Sequence, residues 1–152
     1  MNMSRPLKQI KSFQIDHTKL LPGLYLSRFD DRIYTYDLRV CKPNAEYMNG
    51  AAAHTIEHLA ATYLRSNYDG IVYFGPMGCM TGFYLLCTEA DPNKVKEMAL
   101  SVFRFIADFD GPVIGASEKE CGNYKYHDLQ GANIIAAKYV QILNQTNKYN
   151  YD

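Results

Sequence analysis

The sequence predicts an α+β fold: a single compact domain, residues 1–152, with helices packed on one face of a largely antiparallel sheet. Three observations predict it. Strand-like segments rich in β-branched and aromatic residues, RIYTYDLRV (32–40), IVYF (71–74) and GFYLLCT (82–88), stand among segments whose apolar residues recur every three or four positions. Turn signals such as CKPN and DGPVIGAS separate these elements. The chain has 152 residues, 47% of them hydrophobic. That length suits one domain, which buries about 68–70% of its unfolded surface and needs no disulfide to hold its core.

RIYTYDLRV has a rough period of two and ends before the turn in CKPN, so a strand is expected there. From about Asn49 to Ser66 the period changes: Ala52, Ile56, Leu59, Ala60, Tyr63 and Leu64 mark one face of an amphipathic helix. IVYF and GFYLLCT read as two buried strands separated by GPMGCMT. Asp91 caps a second helix with Pro92 at its first position, and Val95, Met98, Val102, Phe105 and Ile106 form its apolar stripe. DGPVIGAS is a loop. A third helix is expected over 128–145, with Leu129, Ala132, Ile135, Ala136, Tyr139 and Leu143 inward. The tail NQTNKYNYD is expected to fray.

Charge excludes several partners. Lys+Arg and Asp+Glu both number 16, and no basic run is long enough to attract a phosphate backbone or an anionic membrane, so no nucleic acid and no membrane partner is expected. The most apolar stretches, such as IVYFGPM, fall far short of the roughly 18 residues that span a bilayer. MNMSRPLKQIKSF has charges but no apolar run of about 7–15 residues after them, so no secretory leader is expected. Cys41, Cys79, Cys87 and Cys121 are scattered without a CxxC pair, which suits reduced thiols in a cytoplasmic protein.

The chemistry concentrates in HTIEHL (54–59), inside the first predicted helix. At about 100° per residue, His54 and His58 lie about 40° apart and one turn above each other, the spacing two imidazoles need to share one cation. Glu57 lies about 60° to one side of His54, and a carboxylate beside a metal pair can carry protons. The competing reading is an exposed histidine pair that merely titrates near neutrality. Two features weigh against it. Ala51, Ala52, Ala53, Ala60 and Ala61 bracket the histidines with small side chains that leave room for a partner, and the chain supplies further histidines and thiols to complete a tetrahedral site. Cys121, in EKECGNYKYHDL, lies in a loop ahead of a helix, where a thiolate can reach outward. Cys79 sits in GPMGCMTG, whose side-chain-poor backbone permits close approach of a ligand, although an ordinary turn with an inert cysteine has the same composition. Cys87, beside Leu85 and Leu86, reads as core, and Cys41 carries no functional signal. The residues by themselves reach a mononuclear metal site with two histidines, a nearby carboxylate and one or two thiols. They name no substrate.

SFQIDH (12–17), YDLRVCKPN (36–44), HTIEHL, GPMGCMTGFY (75–84) and EKECGNYKYHDLQGA (118–132), in this order, resemble the S-ribosylhomocysteine lyase (LuxS) family over most of the chain. The resemblance implies a compact α+β domain related to inverted-zincin peptidases and a homodimer with its pocket at the interface. It implies one divalent metal per chain, Fe2+ with Zn2+ or Co2+ as substitutes, held by His54, His58 and Cys121 with a water in the fourth position. Cys79 and Glu57 would be the acid–base pair, and Ser12, His17 and Arg39 would line the substrate pocket. The implied reaction converts S-ribosyl-L-homocysteine to L-homocysteine and 4,5-dihydroxy-2,3-pentanedione, the autoinducer-2 precursor of quorum sensing, by carbonyl migration and β-elimination. It serves homocysteine recycling as well. Many members carry an acidic residue followed by serine just ahead of PMGC, where this chain has Tyr73, Phe74 and Gly75, so the contact to the homocysteine amino group is not carried over.

Two other readings compete. An inverted-zincin metallopeptidase would take a carboxylate as its third ligand, Glu118 or Glu120, and leave Cys79 without a role. A structural Cys2His2 zinc protein would close the site with His54, His58, Cys79 and Cys121, leaving Glu57 idle.

Overall fold

The computed structural model describes residues 4–152. After a 3-10 turn at Lys11–Phe13 the elements run β1 (Gly23–Asp30), β2 (Ile33–Arg39), α1 (Gly50–Asn67), β3 (Ile71–Pro76), β4 (Gly82–Cys87), α2 (Pro92–Asp108) and α3 (Leu129–Asn144). The four strands form one sheet in the order β1-β2-β4-β3 with every neighbour antiparallel, the α+β architecture expected from the sequence. Each helix starts on a side-chain cap that satisfies an orphan N–H. Asn49 accepts from Ala52 N–H at 2.7 Å, Asp91 from Asn93 N–H at 2.9 Å, and Asp128 from Gly131 N–H at 2.9 Å.

The pleat divides the sheet by chemistry. Leu24, Leu38 and Phe83 stand side by side across three strands, and Tyr36 pairs with Leu85, which pairs with Phe74. These side chains are buried with Ile56, Leu59 and Leu64 of α1, Val95, Phe103 and Ile106 of α2, and Tyr139 and Leu143 of α3. Burying each such aliphatic or phenyl group contributes about 1.5–3 kcal/mol. The alternate positions face the other way: Tyr25, Asp37 and Tyr84 are neighbours there, and Arg39 lies opposite Gly82. A Cβ at Gly82 would collide with the Leu38 carbonyl, so only glycine permits this approach of β4 to β2.

Three expectations change. Strand β1 was not foreseen, because a register shift between Leu26 and Arg28 breaks its alternation and its second half is exposed. The carboxyl-terminal tail does not fray. The Tyr149 carbonyl accepts the Leu26 N–H at 2.9 Å, and Tyr151 stacks on Tyr25 with ring centroids 5.0 Å apart, so the tail's aromatic residues hold it against β1. Of the alanines read as making room around the histidines, Ala52 and Ala60 lie fully buried on the core face that their spacing also gave them, and Ala53 is buried beside them, so the three let α1 approach the core closely.

Candidate active site

One group of ligating atoms forms where α1 meets the loop before α3. His54, His58, Cys121 and His127 each bring one donor atom, all within 4.8 Å of one another. Cys121 Sγ lies 3.6 Å from His54 Nε2, 3.9 Å from His58 Nε2 and 3.9 Å from His127 Nε2. A tetrahedral ion bonded to sulfur at about 2.3 Å and to nitrogen at about 2.0–2.1 Å sets S and N about 3.6 Å apart, so the group fits an ion of this kind.

Hydrogen bonds on the far side of each ring fix which nitrogen is free. His54 Nδ1 lies 2.6 Å from the Tyr126 carbonyl and His58 Nδ1 lies 2.9 Å from the Ile114 carbonyl. A carbonyl only accepts, so each Nδ1 carries the proton and each Nε2 turns its lone pair toward the thiol. The loop residue Gly115 has φ +70, and a Cβ there would press on His58 Nδ1 at 3.3 Å. His127 Nδ1 lies 2.9 Å from the Thr55 hydroxyl, which donates to the Ala51 carbonyl at 3.1 Å and accepts the Asp128 N–H at 3.0 Å. Since that hydroxyl's one proton is committed to Ala51, the proton between it and His127 sits on Nδ1, and His127 Nε2 is free as well.

The ring angles rank the histidines. His54 and His58 stand edge to face at 88°, which lets both in-plane lone pairs converge on one point. His54 and His127 are stacked at 4.0 Å and 20°, so their lone pairs run nearly parallel and share an ion poorly. His127 is thus the outlying member of the group. Burial, and then the neighbouring His54 and His58, push its pKa down to about 4, which keeps it neutral near pH 7. The sequence reading missed it. Its signal was a third histidine six residues after Cys121 and directly before the helix cap Asp128.

Glu57 is half-buried on the same stretch of α1 and is not a member of the ligand group. Glu118 and Glu120 are exposed and also outside it, Glu120 being bonded to the Ser117 hydroxyl at 2.6 Å, so the carboxylate that a peptidase site requires is not at the centre. Cys79 is likewise outside the group, so the closed Cys2His2 alternative is not favoured.

Cys79 instead opens into a cavity of about 630 Å³ lined by Ser12, His17, Arg39, Thr81 and Tyr84, among others. The structure therefore brings Cys79 together with Ser12, His17 and Arg39, and that lining contains none of His54, His58, Cys121 or His127. Arg39 Nη1 donates to Thr81 Oγ1 at 2.8 Å and lies 4.0 Å from Cys79 Sγ, while Nη2 donates to Asp37 Oδ2 at 2.6 Å. Thr81 Oγ1 lies 3.0 Å from the same sulfur. The loop carrying Cys79 is pinned by the Met48 N–H, which donates to the Met80 carbonyl at 2.8 Å, with Met80 in the left-handed region at φ 61. Ahead of the loop, Phe74 is buried and stacked on Phe83, while Tyr73 is exposed.

Fold and site together define an α+β protein whose imidazole and thiol groups can hold a metal ion. A profile of the family described as S-ribosylhomocysteinase (LuxS) matches residues 10–150. The chain is 48% identical over 153 residues to an S-ribosylhomocysteine lyase of Borreliella burgdorferi strain ZS7, an alignment covering 95% of this chain and 98% of that protein. It is 48% identical over 154 residues to one from Phocaeicola vulgatus, covering 95% and 96% of the two chains, and 41% identical over 151 residues to one from Finegoldia magna, covering 95% and 97%. The chain belongs to the S-ribosylhomocysteinase (LuxS) family. No helix among the described residues is long and apolar enough to cross a membrane.

Proposed function

We propose that this protein is a metal-dependent carbon–sulfur lyase that converts S-ribosyl-L-homocysteine to L-homocysteine and 4,5-dihydroxy-2,3-pentanedione. The observation that carries this reading is the convergence of His54, His58 and Cys121 on one point, their free nitrogens set by carbonyl partners, in a chain of this family. The ion assigned to them is Fe2+, one per chain, with Zn2+ or Co2+ as substitutes, since imidazole and thiolate suit all three. A divalent ion held there supplies a Lewis acid that polarises ribose oxygens and eases removal of a proton from carbon beside a carbonyl.

The chain's own groups divide the remaining work. Arg39, Ser12 and His17 line the cavity and hold the substrate. Cys79, exposed at the cavity wall, takes a proton from one sugar carbon and returns it to the next as the carbonyl migrates. Glu57 passes protons among the hydroxyls. Once the ketone stands two carbons from the thioether, loss of the proton between them drives β-elimination. The carbon–sulfur bond breaks, and the sulfur leaves with its electron pair and takes up a proton as homocysteine.

The cavity lining contains none of the ligand group, which supports a second copy bringing the two halves together. We therefore assign the working form as a homodimer in the cytoplasm, with the pocket at the interface. Phe13 and Tyr47, both at the cavity, are 69% and 78% exposed and offer apolar surface for that contact. The test is to supply S-ribosylhomocysteine to the metal-loaded protein and follow thiol release with a colorimetric reagent. Release is expected, and its absence from protein carrying its full metal complement refutes the proposal.

A further inference from the structure

The face of the sheet away from the helices holds a buried pair, Asp37 and Arg39, of which only Arg39 has a part in the chemistry above. Asp37 and Arg39 are two residues apart on β2, so the pleat sends both to that face, where their side chains are 0% and 2% exposed. Burial raises the Asp37 carboxyl above its usual range, opposed by Arg39 beside it. A charge so enclosed needs every partner it can find. One is Arg39 Nη2, at 2.6 Å from Oδ2. The other comes from the far end of the chain: the Tyr151 hydroxyl donates to the same Oδ2 at 2.8 Å. The second oxygen, Oδ1, has no partner among the described residues, nor has Arg39 Nε. A single oxygen thus carries both donors, and the carboxylate's orientation depends on the two together.

Tyr151 is itself held in place. Its ring stacks on Tyr25, with centroids 5.0 Å apart and the planes 18° from parallel. From Asp37 the chain of contacts runs on through Arg39, whose other nitrogen meets Thr81 at 2.8 Å and lies 4.0 Å from Cys79 Sγ. We propose that Asp37 and Tyr151 are positioning residues for the reaction assigned above, with the carboxyl-terminal tail holding the Arg39 guanidinium against Cys79 in the pocket. The inference rests on that functional reading for its purpose, but the placement of Arg39 can be measured without turnover.

The metal-loaded full chain is prepared as wild type, Tyr151→Phe, Asp37→Asn, Arg39→Gln, and Tyr151→Phe combined with Arg39→Gln. Cys79 is alkylated with iodoacetate and, separately, iodoacetamide, with the modified cysteine confirmed by peptide mass. Cys41 and Cys87 are buried and the half-buried Cys121 is assigned to the metal, which leaves Cys79 as the exposed thiol. A guanidinium near the sulfur favours the anionic reagent, so the ratio of the two rates reports where Arg39 sits. Tyr151→Phe keeps the stacked ring and is expected to lower that ratio about threefold to tenfold, toward the Arg39→Gln value. In the Arg39→Gln background the same change is expected to do nothing. Asp37→Asn decides by sign: the ratio falls if Arg39 loses its tether, and rises if Arg39 stays with its charge unmasked. A ratio unchanged in Tyr151→Phe, raised in Asp37→Asn, or altered by Tyr151→Phe without Arg39 overturns the inference. Should Asp37→Asn not fold, Tyr151→Phe alone decides. In thiol release, Tyr151→Phe is expected to change KM and kcat in the same directions as Arg39→Gln, and a different split also overturns it. If the wild type releases no homocysteine, the reaction assignment fails while the alkylation ratio still settles the placement.

Discussion

Thr55→Val isolates the joint between helix α1 and the loop that carries Cys121 and His127. Thr55 is fully buried, and its hydroxyl meets three groups: it donates to the Ala51 carbonyl, accepts the Asp128 N–H, and accepts from His127 Nδ1. Valine fills the same space without the oxygen. The Ala51 carbonyl keeps its helical bond, so its loss is small. The Asp128 N–H is left without its acceptor, which costs about 1–3 kcal/mol, and His127, half-buried, adds less because it can turn toward water. About 2 kcal/mol in a chain of this length corresponds to about 4–8 °C in Tm. With the loop that carries Cys121 no longer tied to α1, the metal should also be held about 10–100-fold more weakly. Thermal melting of the metal-free chain reads the first effect, and competition against a chromophoric chelator reads the second. Thr55→Ser, which keeps the hydroxyl, should restore both. If Thr55→Val melts within about 1 °C of wild type and competes equally for metal, the joint is not what holds the loop.

Cys121→Ala should lose most of the bound metal by atomic spectroscopy and stay folded, because the core packs without the ion; full metal content in this variant removes Cys121 from the ligand set. Glu57→Gln should keep the metal but lose most thiol release, since the amide matches the carboxylate in shape and cannot take up a proton. The metal-free chain should lose stability as pH falls from about 6.5 toward about 4. His127 is held neutral in the folded state by burial and its histidine neighbours, the unfolded chain binds the proton first, and the stability present above this window disappears through it. Screening at a side chain only half-buried leaves about 1 kcal/mol of this, and a melting temperature flat over the window contradicts it.

What was legible follows from range. The spacing in HTIEHL converts directly into angle on a helix, so His54, Glu57 and His58 could be placed on α1 from six consecutive residues. The α2 boundary was equally local, fixed by Asp91 and Pro92. Strand β1 was hidden because its bulge interrupts the alternation that identifies strands, and the burial of Ala53 because it lies outside the apolar stripe that Ala52 and Ala60 share. His127 and the Asp37–Tyr151 contact depend on segments 72 and 114 residues apart in the chain. No local pattern records such a meeting. The tail looked disordered by composition, and only β1 and Asp37 explain why it is not.

The pleat of β2 separates the two halves of the site, and this yields a test that does not depend on seeing the dimer. Tyr36 and Leu38 are committed to the helix-covered core, which sends Asp37 and Arg39 to the opposite face, and the cavity that contains Arg39 and Cys79 has no metal-group residue in its wall. Two inactive variants, Cys79→Ala with its ligand group intact and Cys121→Ala with its pocket intact, are mixed after chain exchange in mild denaturant. If each working site takes its pocket from one chain and its metal from the other, half of the dimers formed at random are mixed. Each mixed dimer then holds one wholly intact site and one doubly damaged site, so thiol release should recover to about one quarter of wild type. If a single chain builds the whole site, no arrangement of these two variants contains an intact one, and the mixture stays dead. Recovery would also show that both variants fold, which guards against mistaking a misfolded chain for a catalytic lesion. A mixture that remains inactive, although each variant is shown to be folded and dimeric and to exchange chains, would place the metal and Cys79 in the same subunit. The separation seen between them would then have to close by movement within one chain.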